Sequence, residues 1–248
     1  METAYIFKRI ERKYLLDEVT KKRLLQRMKG ELLLDEYGKS TICSLYLDTP
    51  DHRIIRSSID AGAYKEKLRL RSYGTPKADS TVYLELKKKY QGVVYKRRVS
   101  LPLSSAKLYL NGGILPEAGQ IWREIDYAMR FSRWPKPAML ISYEREAYTW
   151  ADDPNFRVTF DSAARARQTD LLLENGSAGA SLLPVGLDLM EVKSLGAMPL
   201  SFARSLNELS ITPSSFSKYG TAYTRSLVTT ATSTETILKG GLKYVSNL

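Results

Sequence analysis

The sequence predicts an α+β fold built on a mainly antiparallel sheet with a few helices packed on it. Several segments alternate polar and apolar residues with the two-residue period of a strand, and no helix follows each of them in the regular order that a parallel sheet requires. Hydrophobic residues make up 43% of the 248 and charged residues 26%, a balance typical of a globular chain. We expect one domain over 1–228 and a flexible tail over 229–248, which begins with a run of Thr and Ser.

The expected elements follow from composition and periodicity along the chain. Strands are predicted over 5–15, 41–48, 65–73, 81–89, 93–101, 140–150, 156–161 and 187–194. A helix is predicted between Asp17 and Gly30, because acidic residues stand at its start and Lys29 and Gly30 at its end. Further helices are predicted over 119–131 and near 200–209 and 214–228, and the Gly-, Ser- and Ala-rich segment 173–183 is predicted to be a mobile loop.

The residue counts exclude several classes of protein. A single cysteine, Cys43, rules out an internal disulfide framework and a multi-cysteine zinc module, and a single histidine, His52, rules out a His-pair metal site. No run of 18 apolar residues occurs, and charges interrupt the N-terminal segment, so the sequence predicts neither a signal peptide nor a membrane span and favours the cytoplasm. No glycine-rich phosphate loop occurs, so nucleotide binding would have to come from side chains.

The positive charge is concentrated in one part of the chain. The net charge is +11, and residues 65–98 hold eleven basic residues against three acidic ones. Because residues two apart share a face of a strand, Lys65, Lys67, Arg69 and Arg71 are expected to lie on one side of their strand. Such a concentration is typical of a site for an anion, whereas the overall charge alone does not distinguish nucleic acid, membrane and small polyanions.

A Glu-x-Lys pattern recurs in three of the predicted strands. It occurs at Glu11-Arg12-Lys13, Glu85-Leu86-Lys87 and Glu191-Val192-Lys193. A solvated strand face explains any one of these pairs. Taken together, the carboxylates could hold a divalent cation and the lysines phosphate oxygens, which would suit a metal–triphosphate. If the strands closed into a barrel with these faces inward, the interior would be a positively charged conduit.

Nine short segments, in order along residues 5–225, resemble the VTC polyphosphate polymerase domain. This family belongs to the CYTH-like triphosphate tunnel metalloenzymes. The segments are FKRIERKY (7–14), SLYLDT (44–49), KLRLRSYG (67–74), YLELK (83–87), VYKRR (94–98), YEREAY (143–148), FRVTFD (156–161), MEVK (190–193) and SFSKYG (215–220). The resemblance implies an antiparallel eight-stranded β-barrel, the triphosphate tunnel, with flanking helices. It also implies transfer of the γ-phosphoryl group of ATP to a growing polyphosphate chain, with Mn²⁺ or Mg²⁺ as cofactor.

The resemblance also implies roles for individual residues. The catalytic positions would be Lys13, Arg69, Arg71, Lys87, Arg145, Lys193 and Lys218. Further contacts to phosphate or ATP would come from Lys96, Arg98, Arg157 and Ser217. Glu191 is the first candidate metal ligand, and Glu85 and Glu11 are either further ligands or partners that orient the lysines. Asp161 matches a family motif without an assigned role.

Two other functions remain open from the sequence. The same site could hydrolyse triphosphate or short polyphosphate, with water in place of the acceptor phosphate. Alternatively, the domain could bind RNA or stored polyphosphate without turnover. Arg9 stands where the wider superfamily begins Glu-x-Glu-x-Lys, which favours the polymerase branch over the two-metal triphosphatase branch. The expected ligands are therefore ATP, polyphosphate and pyrophosphate or phosphate. We expect no nucleic acid and no membrane segment in this chain, and a membrane partner protein is left open.

Overall fold

A computed structural model describes residues 10–60, 64–91, 93–113 and 119–227. The predicted tail over 229–248, Arg9 and the first part of the predicted strand 5–15 lie outside these residues. The strands are β1 (Ile10–Asp17), β2 (Leu32–Asp48), β3 (Tyr64–Tyr73), β4 (Thr81–Tyr90), β5 (Val93–Pro102), β6 (Lys136–Trp150), β7 (Asp153–Arg167), β8 (Ala180–Ser181) and β9 (Leu187–Ser194). The helices are α1 (Glu18–Arg27), α2 (Arg53–Ile59), α3 (Leu103–Leu110), α4 (Gln120–Phe131), α5 (Leu200–Glu208) and α6, whose described residues are 218–227.

The strands form one antiparallel sheet, so the predicted α+β class is confirmed. Their order is β1-β9-β7-β6-β2-β3-β4-β5, and the short β8 pairs with β7. The predicted eight-stranded closed barrel is wrong in two respects. Within the described residues the sheet has nine strands, and no backbone pairing joins β1 to β5.

A different segment occupies the free edge of β1. The Ser214 backbone N–H donates a hydrogen bond to the Lys13 carbonyl oxygen at 2.7 Å, and Tyr14 forms an isolated bridge with Pro213. A strand edge offers one row of backbone partners, so at Lys13 and Tyr14 this segment takes positions that another strand would need. The sheet is nevertheless strongly curled, because Lys87 on β4 reaches Glu11 on β1, with Nζ 3.5 Å from Oε2.

Helices cover the convex side of the curled sheet through the apolar residues of the alternating strands. On one half, α3 and α4 pack Tyr109, Trp122 and Ile125 against Leu68 and Leu84. On the other half, α1 and α5 pack on β1, β7 and β9 through a cluster that includes Leu24, Phe156, Phe160, Val192 and Phe202. The apolar residues of these two clusters are thereby buried on the convex side, and the charged residues that alternate with them lie on the concave side.

Helix α6 packs against the sheet through a third cluster of buried residues. Tyr219 stacks on Tyr46 of β2 with ring centroids 4.5 Å apart, and Ala222 and Tyr223 belong to the same cluster as Ile141. The buried Asp48 side chain accepts hydrogen bonds from the Tyr219 hydroxyl at 2.8 Å and from two backbone N–H groups at the start of α2. These contacts fix the N-terminal end of α6 next to the concave face.

Two local predictions can be compared with the structure. The helix predicted after Asp17 is confirmed as α1, and Asp17 caps it by accepting a hydrogen bond from the Thr20 N–H at 2.6 Å. The predicted mobile loop over 173–183 is instead anchored, because Leu173 and Leu182 are buried and β8 pairs with β7. Across the described part of the chain, none of the helices combines the length and the apolar character needed to cross a bilayer.

Candidate active site

The polar side chains of the concave face come into register because neighbouring strands are antiparallel. Lys13 lies opposite Glu191, Arg145 opposite Asp161, and Arg69 opposite Glu85. Further pairs are Glu11 with Lys193, Glu85 with Arg98, and Lys87 with both Lys67 and Lys96. The face thus gathers cations from β1, β3, β4, β5, β6 and β9 around a few carboxylates.

Glu85 is the centre of the first group of ion pairs, which we call the Glu85 network. Its side chain is only 1% exposed. Arg69 donates from Nε to Oε2 at 2.7 Å, and Arg98 donates from Nε to Oε1 at 2.6 Å. Lys96 Nζ lies 2.9 Å from Oε1, and Arg71 Nε lies 3.9 Å from Oε2. One buried carboxylate therefore fixes the positions of four basic side chains.

The charge state of Glu85 follows from these neighbours. Burial alone would raise the pKa of its carboxyl group, but the positive charges of Arg69, Arg71 and Lys96 outweigh burial and hold that pKa far below its usual range. Glu85 is therefore ionised at any pH at which the protein would be assayed.

Glu191 and Asp161 form the centre of the second group, the Glu191 network. Arg145 makes a bidentate pair with Asp161 at 2.6 and 2.7 Å, and its Nη2 lies 3.4 Å from Glu191 Oε2. Lys218 contacts Asp161 at 2.5 Å and Glu191 at 3.3 Å, and Lys193 Nζ lies 3.2 Å from Glu191 Oε2. Burial would raise the pKa of Glu191, yet Lys218, Lys193 and Arg145 keep it well below its usual range.

Glu11 extends the Glu191 network across to β4. Lys13 Nζ lies 3.6 Å from Glu11 Oε1 and 3.9 Å from Glu191 Oε1, so the two carboxylates flank one lysine. Glu11 also meets Lys87 at 3.5 Å. This contact joins the edge strand β1 to β4, the strand next to the opposite edge, through side chains.

Tyr143 connects the two networks. Its hydroxyl accepts a hydrogen bond from Arg71 Nη2 at 3.2 Å, and Arg71 belongs to the Glu85 network. Its ring lies 5.0 Å from the Arg145 guanidinium carbon and 4.5 Å from Lys218 Nζ, in cation–π contacts with the Glu191 network. The basic groups of the concave face are therefore one continuous set.

The start of α6 brings the last two predicted residues to the site. Ser217 Oγ accepts from the Gly220 N–H at 3.2 Å, which is the contact of a helix N-cap. It also accepts from Lys67 Nζ at 3.1 Å, and Lys13 Nζ donates to the Phe216 carbonyl oxygen at 2.8 Å. Lys218 follows the cap and points to Asp161 and Glu191.

The structure thus places thirteen of the fourteen predicted site residues in these two networks or at the start of α6. They are Glu11, Lys13, Arg69, Arg71, Glu85, Lys87, Lys96, Arg98, Arg145, Glu191, Lys193, Ser217 and Lys218. Arg157 is the exception. It lies opposite Lys193 in register, but its guanidinium pairs with Asp35 at 3.4 Å.

Sequence reasoning did not assign a role to four residues that border the site. They are Tyr46, Lys67, Tyr143 and Thr159. The signal for three of them was the two-residue period, because Lys67 precedes Arg69, Tyr143 precedes Arg145 and Thr159 precedes Asp161 by two positions. Tyr46 had no such signal, since it faces Arg69 only across the pairing of β2 with β3.

The carboxylates differ in their fit to a divalent metal ion. Glu85 fits least well, because Arg69, Lys96 and Arg98 all lie within 2.9 Å of its oxygens. Glu191 also faces four cations, but at 3.2–3.9 Å, and Glu11 faces two at 3.5 and 3.6 Å. These looser contacts fit a metal better, since Mg²⁺ is usually held by one or two carboxylates together with substrate phosphates and water. In the described residues no group of three or more His, Cys, Asp or Glu side chains could hold a metal by itself, so substrate oxygens would have to complete the shell.

The curled antiparallel sheet with a basic concave face is close to the arrangement that the resemblance to the triphosphate tunnel proteins implies, although its backbone barrel is open in the described residues. A family model described as the VTC domain matches residues 8–227. The chain belongs to the VTC domain family, as the nine sequence segments indicated.

Comparison with one solved structure, a Hippeastrum protein, supports the fold. That protein, described as an adenylyl cyclase with a dominant triphosphatase activity, superposes with a TM-score of 0.53 and 17% identity, over 88% of this chain and 95% of that one. A Vibrio parahaemolyticus protein described as an adenylate cyclase gives a TM-score of 0.48 and 11% identity, over 88% and 98% of the two chains. No curated protein matches the sequence significantly.

Proposed function

We propose that the protein is an ATP-dependent polyphosphate polymerase that transfers the γ-phosphoryl group of ATP to a growing polyphosphate chain. The observation that carries the proposal is the continuous set of cations on the concave face, held in place by buried carboxylates and linked through Tyr143. Membership of the VTC domain family supports the same function. The expected ligands are ATP, polyphosphate and pyrophosphate or phosphate, with Mn²⁺ or Mg²⁺, and a cytoplasmic site of action would supply the ATP.

The chemistry requires little more than position and charge. Phosphoryl transfer passes through a loose transition state, so arranging the reactants in line and neutralising charge on the phosphoryl oxygens supply most of the rate acceleration. Arg69, Arg71 and Arg98 present guanidinium groups suited to phosphate oxygens, and Glu85 fixes their orientation. Because Glu85 is buried beneath them, these groups are held close together before an anion binds.

The second network would bind the phosphoryl groups at the metal end of the site. Asp161 holds Arg145 in a bidentate pair and also contacts Lys218, so both cations are positioned by one carboxylate. Glu191 and Glu11 are the residues that would hold the metal ion. When bound, that ion supplies further neutralisation of charge on the phosphate oxygens.

Hydrolysis of triphosphate is the second candidate function. It requires the same phosphate contacts, and only the acceptor changes from a phosphate to water. The triphosphatase activity described for the Hippeastrum protein, which has a similar fold, favours keeping this candidate. A binding module without turnover is the third possibility and predicts phosphate binding alone.

One experiment separates the three functions. Purified protein is incubated with ATP and Mn²⁺ or Mg²⁺, and both long polyphosphate and free phosphate are measured. Polymer formation supports the polymerase, free phosphate alone supports the hydrolase, and anion binding without either product supports the binding module.

Neighbouring residues of β5 give a matched pair of variants for this assay. Arg98→Gln removes a cation of the Glu85 network, and Arg97→Gln removes one that pairs with Glu124 of α4 at 2.6 Å. We expect Arg98→Gln to lower turnover and Arg97→Gln to leave it unchanged. Equal activity in both variants would contradict the assignment of the site to the concave face.

A further inference from the structure

Lys67 differs from the basic residues of the two networks in having no carboxylate partner. Each of those cations has a carboxylate oxygen within 4 Å. Within residues 10–60, 64–91, 93–113 and 119–227, no such contact occurs for Lys67, whose Nζ donates instead to the Ser217 hydroxyl at 3.1 Å. A partly buried ammonium group on an anion-binding face has thus been left without counter-charge.

The neighbours of Lys67 increase this imbalance. Arg69 follows it on the same side of β3, and Lys87 lies opposite it on β4. Burial lowers the pKa of the Lys67 ammonium, Lys13, Lys87 and Arg69 lower it further, and Tyr46 offsets part of the effect, so that the pKa is about 8. Keeping the charge at this position therefore lowers the stability of the unliganded protein.

The position of Lys67 lies between the two networks. Through Arg69 it adjoins the Glu85 network, and through Lys87, which contacts Glu11, it adjoins the Glu191 network. An extended chain of phosphates that contacted both networks would pass beside Lys67. The Ser217 hydroxyl at this point offers a second hydrogen-bonding group for a phosphate oxygen.

We propose that Lys67 and Ser217 form a phosphate subsite in which Lys67 contacts a phosphoryl oxygen of the triphosphate or polyphosphate chain. The proposal rests on the proposed function, because it takes the concave face to be the phosphate site. It adds a substrate-binding role for Lys67 and predicts that the subsite joins the two networks. It also explains why a cation without a carboxylate stands where a neutral side chain would be more stable.

The test measures stability and phosphate affinity in the same set of proteins. Thermal unfolding and isothermal titration calorimetry with tripolyphosphate are performed at pH 7 on the wild type, Lys67→Met, Lys67→Gln and Lys67→Arg. Lys88→Met is the matched control, because Lys88 is the neighbour of Lys87 on β4 and pairs with Glu66 at 3.9 Å, away from the concave face.

A substrate contact and a structural contact predict different results. With a substrate contact, Lys67→Met unfolds at the same temperature as the wild type or higher, while its Kd for tripolyphosphate rises about tenfold or more, the loss expected for one charge-assisted hydrogen bond. Lys67→Arg retains the wild-type Kd within about threefold, since it keeps the charge, and Lys88→Met binds as the wild type. If Lys67→Met is destabilised, Lys67→Gln, which can still donate to Ser217, must show the same loss of affinity.

The negative outcomes identify which proposal fails. A folded neutral variant at position 67 with wild-type affinity overturns the subsite, whatever its unfolding temperature. Absence of tripolyphosphate binding by the wild-type protein instead overturns the proposed function on which the subsite rests.

Discussion

Replacing Glu85 by Gln should destabilise the protein far more than replacing a carboxylate in an exposed ion pair. The substitution preserves the size of the side chain but removes the charge that faces Arg69, Arg98 and Lys96. Those cations would then repel one another around a neutral amide. Glu124→Gln is the control, because Glu124 accepts a hydrogen bond from Arg97 Nε at 2.6 Å, with both side chains 35% exposed.

The expected magnitude follows from burial and from the number of contacts. Removing one partner of a buried ion pair costs about 3–5 kcal/mol. The upper end does not apply here, because Arg98 and Lys96 are 32% and 45% exposed and water screens their charges. We expect a loss of about 3 kcal/mol for Glu85→Gln, compared with about 0.5 kcal/mol for Glu124→Gln.

Thermal unfolding measures this difference directly. For a protein of this size 1 kcal/mol corresponds to about 2–4 °C in Tm, so Glu85→Gln should lower Tm by about 6–12 °C and Glu124→Gln by about 1–2 °C. Saturating tripolyphosphate should raise the Tm of Glu85→Gln by more than it raises the Tm of the wild type, because a bound anion replaces the missing charge. Equal Tm changes in the two variants would refute the role of Glu85 as the organiser of the four cations.

Further predictions concern pH, the second network and the metal ion. Because the folded-state pKa of Glu85 is depressed, the contribution of this carboxylate to stability is complete above the unfolded pKa of 4.5 and declines as pH falls below that value. The difference in Tm between the wild type and Glu85→Gln should therefore narrow in acid. A constant difference would argue against a depressed pKa of Glu85. As pH rises through about 8, Lys67 loses its positive charge, and Tyr46, whose pKa is also about 8, becomes negative. The affinity for tripolyphosphate should therefore fall, and it should fall by less in Lys67→Arg, which keeps its charge. Calorimetry across pH 7–9 tests this prediction. Asp161→Asn removes the bidentate partner of Arg145 and should lower turnover by at least about tenfold, and unchanged kinetics would exclude a positioning role. Chelation of divalent metals should abolish turnover in the product assay but leave tripolyphosphate binding detectable, because the side-chain cations remain.

The sequence predicted the class of fold and most of the residues of the concave face, and the reason is local. A strand has a two-residue period, so the sides on which Lys67, Arg69 and Arg71 lie are fixed by their spacing. The hairpin of β4 and β5 is also local, and it places Arg98 opposite Glu85. The assignment of catalytic roles to these residues stays a prediction.

The partners that meet across the sheet were not predictable in the same way. β1 and β9 are distant in sequence yet adjacent in the sheet, so the contact between Lys13 and Glu191 depends on the order of strands and on their register. The same holds for Glu85, for which the spacing left open whether it would be a metal ligand or orient cations. Its burial beneath Arg69, Arg98 and Lys96 distinguishes these roles, and burial is a property of the packed sheet.

The sequence by itself determined that this protein presents a strongly basic strand face, because alternation and charge are properties of neighbouring residues along the chain. Only the tertiary structure decided how that face is enclosed. The segment at 213–214 hydrogen-bonds to the edge of β1, and no backbone pairing joins β1 to β5 in the described residues. The side-chain contact between Glu11 and Lys87 spans the opening. A strand edge takes whichever segment the packing of the whole chain brings to it, and no local pattern specifies that choice.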